Sequence, residues 1–390
     1  MSDSPSLDAF AASKLQAMER KNLRRHLIIT EPLGTVEVER NGKRLLNFSS
    51  NDYLGLKQHP VLESAAIDAI ERYGVGSGAS RLVTGNHPLF KELEIRLAKL
   101  KGTEDAVVFG SGFLTNSGVI PALIGEQDVV FLDELSHACI YFGSQLTGGA
   151  HHVFRHNDLA HLRELLDEHR QAHPHAMIVT DGVFSMDGDL APVGALSELA
   201  SEFDAWLMTD DAHGIGVVGD GHGSSFEDGK RHAVPLQMGT LSKAIGGYGG
   251  YLCASQPVVD LIRTRCRTFI YSTGLPPASA AAAIAALDLI ENDPEFANRP
   301  VALARRFTRA LNLPNAESPI VPVILGDTDK TLAAGKLLEG EGFLVVPIRP
   351  PTVPEGTARL RITFSAGHDE ADIDRLANLI RSRILNGDTS

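Results

Sequence analysis

The chain has 390 residues, of which 43% are hydrophobic and 22% charged, as is normal for a folded globular protein. Its formal net charge of −13 argues against a nucleic-acid-binding surface. This length is large for a single hydrophobic core and predicts a large domain with a smaller one.

The start of the chain and its cysteines indicate a cellular compartment. Residues 1–23 are polar and lack the apolar stretch of a secretory signal. No apolar run reaches the roughly 20 residues that a membrane-spanning helix needs. Cys139, Cys253 and Cys266 lack metal-site or disulfide spacing, as is typical of a reducing compartment. We therefore expect a soluble, cytoplasmic protein.

The first hundred residues predict an arm, a strand pair and a helix. The arm has helical character and should end near Leu27. Residues 36–39 and 45–48 predict two strands joined by a turn at Asn41 and Gly42. Residues 87–100 predict an amphipathic helix, because leucines recur there near helical spacing.

The middle of the chain alternates between short apolar segments and helical patterns. The predicted buried strands are 106–109, 129–132, 177–180, 206–209, 236–238 and 251–254. Several are apolar without interruption, as parallel strands covered on both faces are. This alternation predicts an α/β domain with a mostly parallel sheet.

The pattern changes near residues 292–294. Strands are predicted at 320–325, 343–346 and 359–364, helices at 330–338 and 369–385, and a stiff proline-rich loop at 347–354. These elements predict a smaller α+β domain. We expect residues 1–45 to form the arm and the start of the small domain, 46–292 the large domain, and 293–390 the rest of the small domain.

Two glycine-rich segments are candidates for phosphate binding. Residues 214–219 match G-x-G-x-x-G, but they lead into a turn-forming sequence, and the acidic residue that ribose binding requires is missing. Residues 110–116 follow a predicted strand and lead into a predicted helix, whose first N–H groups suit an anion. A tight turn with nothing bound is the alternative for this second segment.

Polar residues at predicted strand ends form a possible catalytic group. Lys243 lies among small and hydroxyl residues, and a lysine that can lose its proton can form a Schiff base with a carbonyl. Asp210 could keep a pyridine nitrogen protonated. His137 could stack on a planar ring, although a lone histidine is more often structural.

Two other kinds of site are not supported. Asp210 and His213 complete no metal ligand set, so we expect no metal. Ser111 and Ser242 lack the G-x-S-x-G context of a hydrolase nucleophile.

Four segments together resemble the α-oxoamine synthases, which are pyridoxal 5′-phosphate (PLP) dependent transferases with the aspartate-aminotransferase fold. The segments are 47–56 (NFSSNDYLGL), 182–189 (GVFSMDGD), 210–214 (DDAHG) and 240–243 (TLSK). The resemblance extends from about Arg24 to the last helix. It implies a PLP-binding large domain, a smaller C-terminal domain, and a homodimer with its active site at the interface.

Segment 348–361 (IRPPTVPEGTARLR) is similar to one branch of this family. Members of that branch join L-alanine to a pimeloyl thioester, carried by coenzyme A or acyl carrier protein, in biotin synthesis. A synthase that uses glycine or serine, such as 2-amino-3-ketobutyrate CoA ligase, is the alternative. An aminotransferase of the same fold and a binding protein without catalysis are less favoured.

The resemblance also assigns roles to individual residues. It makes Lys243 the Schiff-base lysine, Asp210 the partner of the pyridine nitrogen, His213 the partner of the ring's 3-oxygen, and His137 the residue that stacks on the ring and contacts substrate. These four are the expected catalytic residues. The other expected cofactor contacts are Gly112, Phe113, Ser185, Thr240, Ser272 and Thr273, of which the last two would reach the neighbouring subunit's phosphate. The other expected substrate contacts are Arg24, Asn51, Thr352 and Arg361.

Overall fold

The computed structural model describes residues 5–20 and 23–386. Strands run, in chain order, over Thr30–Pro32 (β1), Glu37–Arg40 (β2), Lys43–Asn47 (β3), Asp105–Phe109 (β4), Val129–Asp133 (β5), Ala150–Phe154 (β6), Ala176–Asp181 (β7), Trp206–Asp210 (β8), Phe226–Glu227 (β9), Lys230–Arg231 (β10), Leu236–Thr240 (β11), Gly250–Ala254 (β12), Ile320–Gly326 (β13), Phe343–Leu344 (β14), Pro347–Ile348 (β15) and Ala358–Thr363 (β16).

The α-helices are Pro5–Arg20 (α1), Pro60–Tyr73 (α2), Pro88–Lys101 (α3), Gly112–Leu123 (α4), Ala138–Gln145 (α5), Leu159–His169 (α6), Val193–Glu202 (α7), Gln256–Arg265 (α8), Arg267–Ile270 (α9), Pro277–Asn292 (α10), Pro294–Leu311 (α11), Thr328–Gly340 (α12) and Glu370–Ile380 (α13). Short 3-10 turns lie at Leu56–Gln58, Arg170–Ala172 and Gly219–Gly221, and a π-helical turn lies at Arg381–Leu385. None of the helices in the described ranges has the length and apolar character that crossing a bilayer requires.

The central sheet has seven strands in the order β4-β12-β11-β8-β7-β5-β6. All are parallel except β12, which runs antiparallel to both of its neighbours. Helices cover both faces, so alternate residues of one strand enter different cores: Ala106 and Val108 pack with α3 and α10, and Val107 and Phe109 pack with α4 and α8. This confirms the predicted α/β class and explains the uninterrupted apolar strands.

Two smaller sheets involve the C-terminal part of the chain. Strands β13, β16 and β15 form an antiparallel sheet that packs with α11, α12 and α13. The N-terminal strands β1, β2 and β3 are joined by β14, which pairs with β3 in parallel. Residues near both ends of the chain therefore share one sheet. The division into domains at residues 45 and 292 stays a prediction.

The predicted elements agree with the structure in most places. All six predicted strands of the central sheet are present, and the turn at Asn41 and Gly42 has positive φ at both residues. The segment 214–219 forms turns and begins no α-helix, as expected.

Several predictions of local structure were wrong or incomplete. The arm helix ends at Arg20, and residues 23–29 are not helical. Strand β6 was missed because its two histidines interrupt the apolar pattern. Strand β1 was also missed, and part of the predicted proline-rich loop forms the edge strand β15.

Candidate active site

A cavity of about 210 Å³ lies at the carboxyl edge of the central sheet, where ligands of α/β proteins usually bind. The last residues of three adjacent strands, Asp181 of β7, Asp210 of β8 and Thr240 of β11, line it. The other lining residues are Ser111, Gly112, Phe113, His137, Cys139, Val183, Ser185, Ala212, His213, Met238, Ser242 and Lys243.

Lys243 follows β11 and lies in this cavity. Its Nζ atom is 2.6 Å from Nε2 of His213. Burial lowers the pKa of Lys243 to about 8, although the negative charge of Asp210 opposes this change. The amine can therefore lose its proton near neutral pH, which a nucleophilic or basic lysine requires.

His213 connects Lys243 to Tyr53, to which the sequence assigned no role. Its Nδ1 atom lies 2.6 Å from the hydroxyl of Tyr53, while its Nε2 atom contacts Lys243. Burial and the nearby positive charge of Lys243 hold the pKa of His213 well below its usual value. The imidazole is therefore neutral, so one of its nitrogens can donate a hydrogen bond to one partner while the other nitrogen accepts one from the second partner.

Asp210 accepts a hydrogen bond on each carboxylate oxygen. Nδ2 of Asn116 donates to Oδ2 at 2.7 Å, and the backbone N–H of Ala212 donates to Oδ1 at 2.8 Å. The side chain is 4% exposed. These donors orient a buried carboxylate into the cavity, which is what a partner of a protonated ring nitrogen requires.

His137 precedes α5, and its ring caps that helix by accepting from the N–H of Cys139. Its Nδ1 atom lies 2.8 Å from Sγ of Cys139, and its backbone N–H donates to Oδ2 of Asp181 at 3.1 Å. Burial lowers the pKa of His137, which the charge of Asp210 partly opposes. An uncharged, fixed imidazole suits the predicted stacking on a planar ring.

The start of α4 forms another wall of the cavity. Ser111 caps the helix by accepting from the N–H of Leu114 at 3.2 Å. The first N–H groups of a helix have no acceptor within it, and Gly112 and Phe113 contribute two of these. A Cβ added at Gly112 would lie 3.1 Å from Cε of Met238, so the helix start packs closely on β11.

Arg361 reaches this region from β16. Its Nε donates to the carbonyl of Ser185 at 2.5 Å, and its Nη2 lies 3.2 Å from Oδ1 of Asn51. The structure therefore brings the predicted substrate residues Asn51 and Arg361 together beside the cavity-lining Ser185.

Thr352 lies in a second cavity of about 300 Å³, formed by residues 134–136, 184–187 and 351–354. Ser185 lines both cavities, so the second adjoins the first.

Arg24, Ser272 and Thr273 line neither of these two cavities within one chain. Arg24 pairs with Glu19 at 2.9 Å at the surface. Ser272 and Thr273 line a separate small pocket that also includes Arg81. The predicted roles of these three residues stay predictions.

Four residues of the site were missed: Tyr53, Asn116, Cys139 and Asp181. Tyr53 and Asn116 lie within segments that the sequence singled out, but their partners are far along the chain. Asp181 could have been found, because it directly follows a predicted buried strand, as Asp210 does. Within the described ranges, no group of three or more His, Cys, Asp or Glu side chains is arranged so that it could hold a metal ion.

The residues present fit PLP. The site combines a buried amine of lowered pKa (Lys243), an oriented carboxylate (Asp210), and a helix start suited to a phosphate (Gly112 and Phe113). These groups line one cavity.

The profile of the aminotransferase class I and II family matches residues 43–380. The 8-amino-7-oxononanoate synthase of Maricaulis maris is 58% identical over 98% of this chain and 97% of its own. The enzyme of the same name from Beijerinckia indica is 57% identical over 96% of this chain and 97% of its own.

A solved structure shares the fold. A variant of serine palmitoyltransferase from S. paucimobilis, with a bound PLP–myriocin aldimine, superposes with a TM-score of 0.90 at 28% identity. The match covers 97% of this chain and 98% of that one.

Proposed function

This chain belongs to the aminotransferase class I and II family, and from this premise we propose that it is a PLP-dependent acyltransferase that makes 8-amino-7-oxononanoate. The reaction joins L-alanine to a pimeloyl thioester, with loss of CO₂ and release of the thiol. The observation that supports this proposal best is the buried amine of Lys243, of lowered pKa, in a cavity that also contains Asp210 and His213. The names of relatives at 57–58% identity favour this branch over synthases that use glycine or serine.

Residues of the main cavity would hold the cofactor. Lys243 would bind it covalently through Nζ, Asp210 would contact its ring nitrogen, and the first turn of α4 with Thr240 would hold its phosphate. PLP supplies an electron-withdrawing ring that stabilises negative charge at the amino-acid Cα. His137 would cover one face of the ring and exclude water from it.

Lys243 and His213 are placed to move protons. Once Nζ is free, Lys243 can take the Cα proton of L-alanine, because burial leaves a large fraction of its amine uncharged near pH 8. His213 lies 2.6 Å from this Nζ atom and keeps the amine oriented. The hydrogen bond between His213 and the hydroxyl of Tyr53 fixes the orientation of the His213 ring.

Arg361 and Asn51 would bind the carboxylate of L-alanine. A planar guanidinium can form two parallel hydrogen bonds with a carboxylate. The bond from Arg361 to the carbonyl of Ser185 holds the Arg361 side chain at the cavity. The adjoining cavity at Thr352 would accept the acyl thioester, whose carrier is either coenzyme A or acyl carrier protein.

We also infer a homodimer in the cytoplasm. Ser272 and Thr273 lie outside the main cavity of their own chain, which fits the proposed contact with the phosphate of a neighbouring subunit. The three cysteines are buried free thiols, as is usual in reducing compartments.

The first test is thiol release from pimeloyl-CoA by the PLP-loaded protein with L-alanine, glycine or L-serine. We expect thiol release with L-alanine, because its carboxylate and methyl group are those of the amino acid that the proposed branch of the family uses. Release that requires glycine or L-serine would instead assign the chain to the alternative branch.

Lys243→Ala is the control for that assay. It should abolish release while the circular dichroism spectrum stays that of the wild type. Appreciable residual release by this folded variant would refute the role of Lys243. If the wild type releases no thiol from pimeloyl-CoA, the assay is repeated with pimeloyl-acyl carrier protein.

A further inference from the structure

Asp181 is a second buried carboxyl group in the main cavity, and the proposed reaction assigns it no role. It is the last residue of β7 and pairs in register with Asp210, the last residue of β8. Both line the cavity, and Asp181 is 3% exposed. Two carboxyl groups therefore lie side by side at the edge of the sheet.

The two groups differ in their hydrogen-bond partners. Asp210 has an N–H donor for each oxygen. Asp181 accepts one bond, from the N–H of His137 to Oδ2, and its Oδ1 atom is buried without a partner. Leaving a charged oxygen buried without a donor is costly, whereas a protonated oxygen becomes a donor itself.

The charges of the cavity point the same way. Among the residues that line the cavity, the positive charge of Lys243 balances the negative charge of Asp210, and a second carboxylate would have no balancing charge in this lining. The guanidinium of Arg361 lies beside the cavity, where it bonds to Ser185 and Asn51. Burial and the charge of Asp210 raise the pKa of Asp181 well above its usual value, against the opposing effects of the His137 N–H and Lys243. Neighbouring carboxyl groups in unlike environments commonly divide into one charged and one neutral group.

We propose that Asp181 is an uncharged carboxylic acid in this site, and that its Oδ1 donates a hydrogen bond to an oxygen atom of the molecule bound in the cavity. The acceptor would be a carbonyl, carboxylate or phenolate oxygen, since a cation offers no lone pair. Asp181 is then a binding residue, and its Oδ2 also holds the backbone of His137 in place. The donor role rests on the proposed function, whereas the protonation state concerns the cofactor-free chain alone.

Infrared difference spectroscopy of the cofactor-free protein at pH 7, labelled with ¹³C-aspartate, tests the protonation state. The difference between wild type and Asp181→Asn should contain an isotope-sensitive carboxylic-acid C=O band. A carboxylate band in its place would refute the proposal. Because no substrate is present, this result is independent of whether thiol release succeeds.

Asp133→Asn is the matched control, since Asp133 is equally buried but accepts from Leu135, His156 and Asn157. Its difference spectrum should contain a carboxylate band. If Asp181→Asn does not fold, Asp181→Ala replaces it. If neither folds, the wild type must itself show a carboxylic-acid band from aspartate, and its absence overturns the proposal.

Two further results test the donor role. Adding PLP or substrate to the wild type should move the Asp181 band to lower frequency, and a band that stays in place for every ligand would refute donation. Asp181→Asn keeps an N–H donor, so it should turn over about tenfold faster than Asp181→Ala. Equal turnover rates for the two variants would also contradict the proposal that Asp181 donates a hydrogen bond.

Discussion

Lys243 illustrates how burial prepares a single residue for chemistry. Removing an ammonium group from water favours its neutral form, and here that effect exceeds the attraction of Asp210. Folding thus lowers the pKa of Lys243 from 10.5 to about 8. The folded state holds fewer protons than the unfolded state between these values, so the contribution of this group to stability increases as the pH rises from 8 to 10.5.

We predict that Lys243 of the cofactor-free protein reacts with an amine-specific reagent with a midpoint near pH 8. An ordinary lysine has a midpoint near about 10.4. Mass spectrometry of the peptide containing Lys243, sampled across a pH series, measures this midpoint. A midpoint above pH 10 would contradict the effect of burial.

Asn116 acts on the site through Asp210. Its Nδ2 donates to Oδ2 of Asp210 at 2.7 Å and also contacts Sγ of Cys139 at 3.1 Å. A hydrogen bond to a charged group contributes about 1.5–3 kcal/mol. Asn116 therefore orients the carboxylate that would contact the ring nitrogen.

We predict that Asn116→Ala lowers kcat by about tenfold to a hundredfold, because Asp210 loses one of its two donors. Steady-state kinetics with L-alanine measure this loss. Ser117→Ala is the neighbouring control, since the hydroxyl of Ser117 donates to the carbonyl of Phe113 and the variant should retain most activity. Equal losses in both variants would indicate a general effect on α4 instead.

At the scale of elements, strand ends and helix starts converge on the site. Strands β7, β8 and β11 deliver Asp181, Asp210 and Thr240, and the starts of α4 and α5 carry Gly112 and His137. Parallel strands end at one edge of a sheet, and the helices that follow them begin there.

Hydrogen bonds from His156 connect the segment after β7 to the end of β5. Its Nδ1 lies 3.0 Å from Oδ1 of Asp133, and its Nε2 lies 2.7 Å from Oδ2 of Asp189. Burial lowers the pKa of His156, but the two carboxylates outweigh it and raise the pKa to about 10. The resulting stabilisation is complete below pH 6.5, the usual pKa, and is lost as the pH rises through 10.

We predict that His156→Gln lowers the free energy of unfolding by about 2 kcal/mol at pH 6, because it removes hydrogen bonds to charged groups. The difference from wild type should shrink as the pH approaches 10 and above. Urea unfolding at several pH values measures it. A difference that does not depend on pH would show that the charge of His156 is not involved.

At the scale of the whole molecule, the C-terminal sheet completes the site of the central sheet. Arg359 and Arg361 of β16 are both buried and both contact the segment after β7. Arg361 bonds to the carbonyl of Ser185, and Arg359 forms an ion pair with Asp187. Only Arg361 also contacts Asn51 at the proposed amino-acid site.

We predict that Arg361→Lys raises the KM for L-alanine at least about tenfold, because lysine cannot form two parallel bonds with a carboxylate. The absorbance of bound PLP should stay unchanged. Arg359→Lys is the matched control on the same strand, and it should lower the melting temperature without a comparable rise in KM. A similar rise in KM for both variants would contradict the assignment of Arg361 as the residue that binds the carboxylate of L-alanine.

The sequence alone determined the α/β class, six of the seven strands of the central sheet and the family resemblance. It also indicated Lys243, Asp210, His213 and His137, which line one cavity. These features are local: a buried strand needs a short apolar run, and polar residues that follow such runs fall at the sheet edge whatever the rest of the chain does.

Only the tertiary structure decided which side chains meet. Tyr53 and His213 are 160 residues apart in the chain, and Asn116 and Asp210 are 94 apart. The unpartnered oxygen of Asp181 and the shared sheet of β3 and β14 are likewise absent from any local pattern. Hydrogen bonding and burial depend on distances between elements, and packing alone determines those distances.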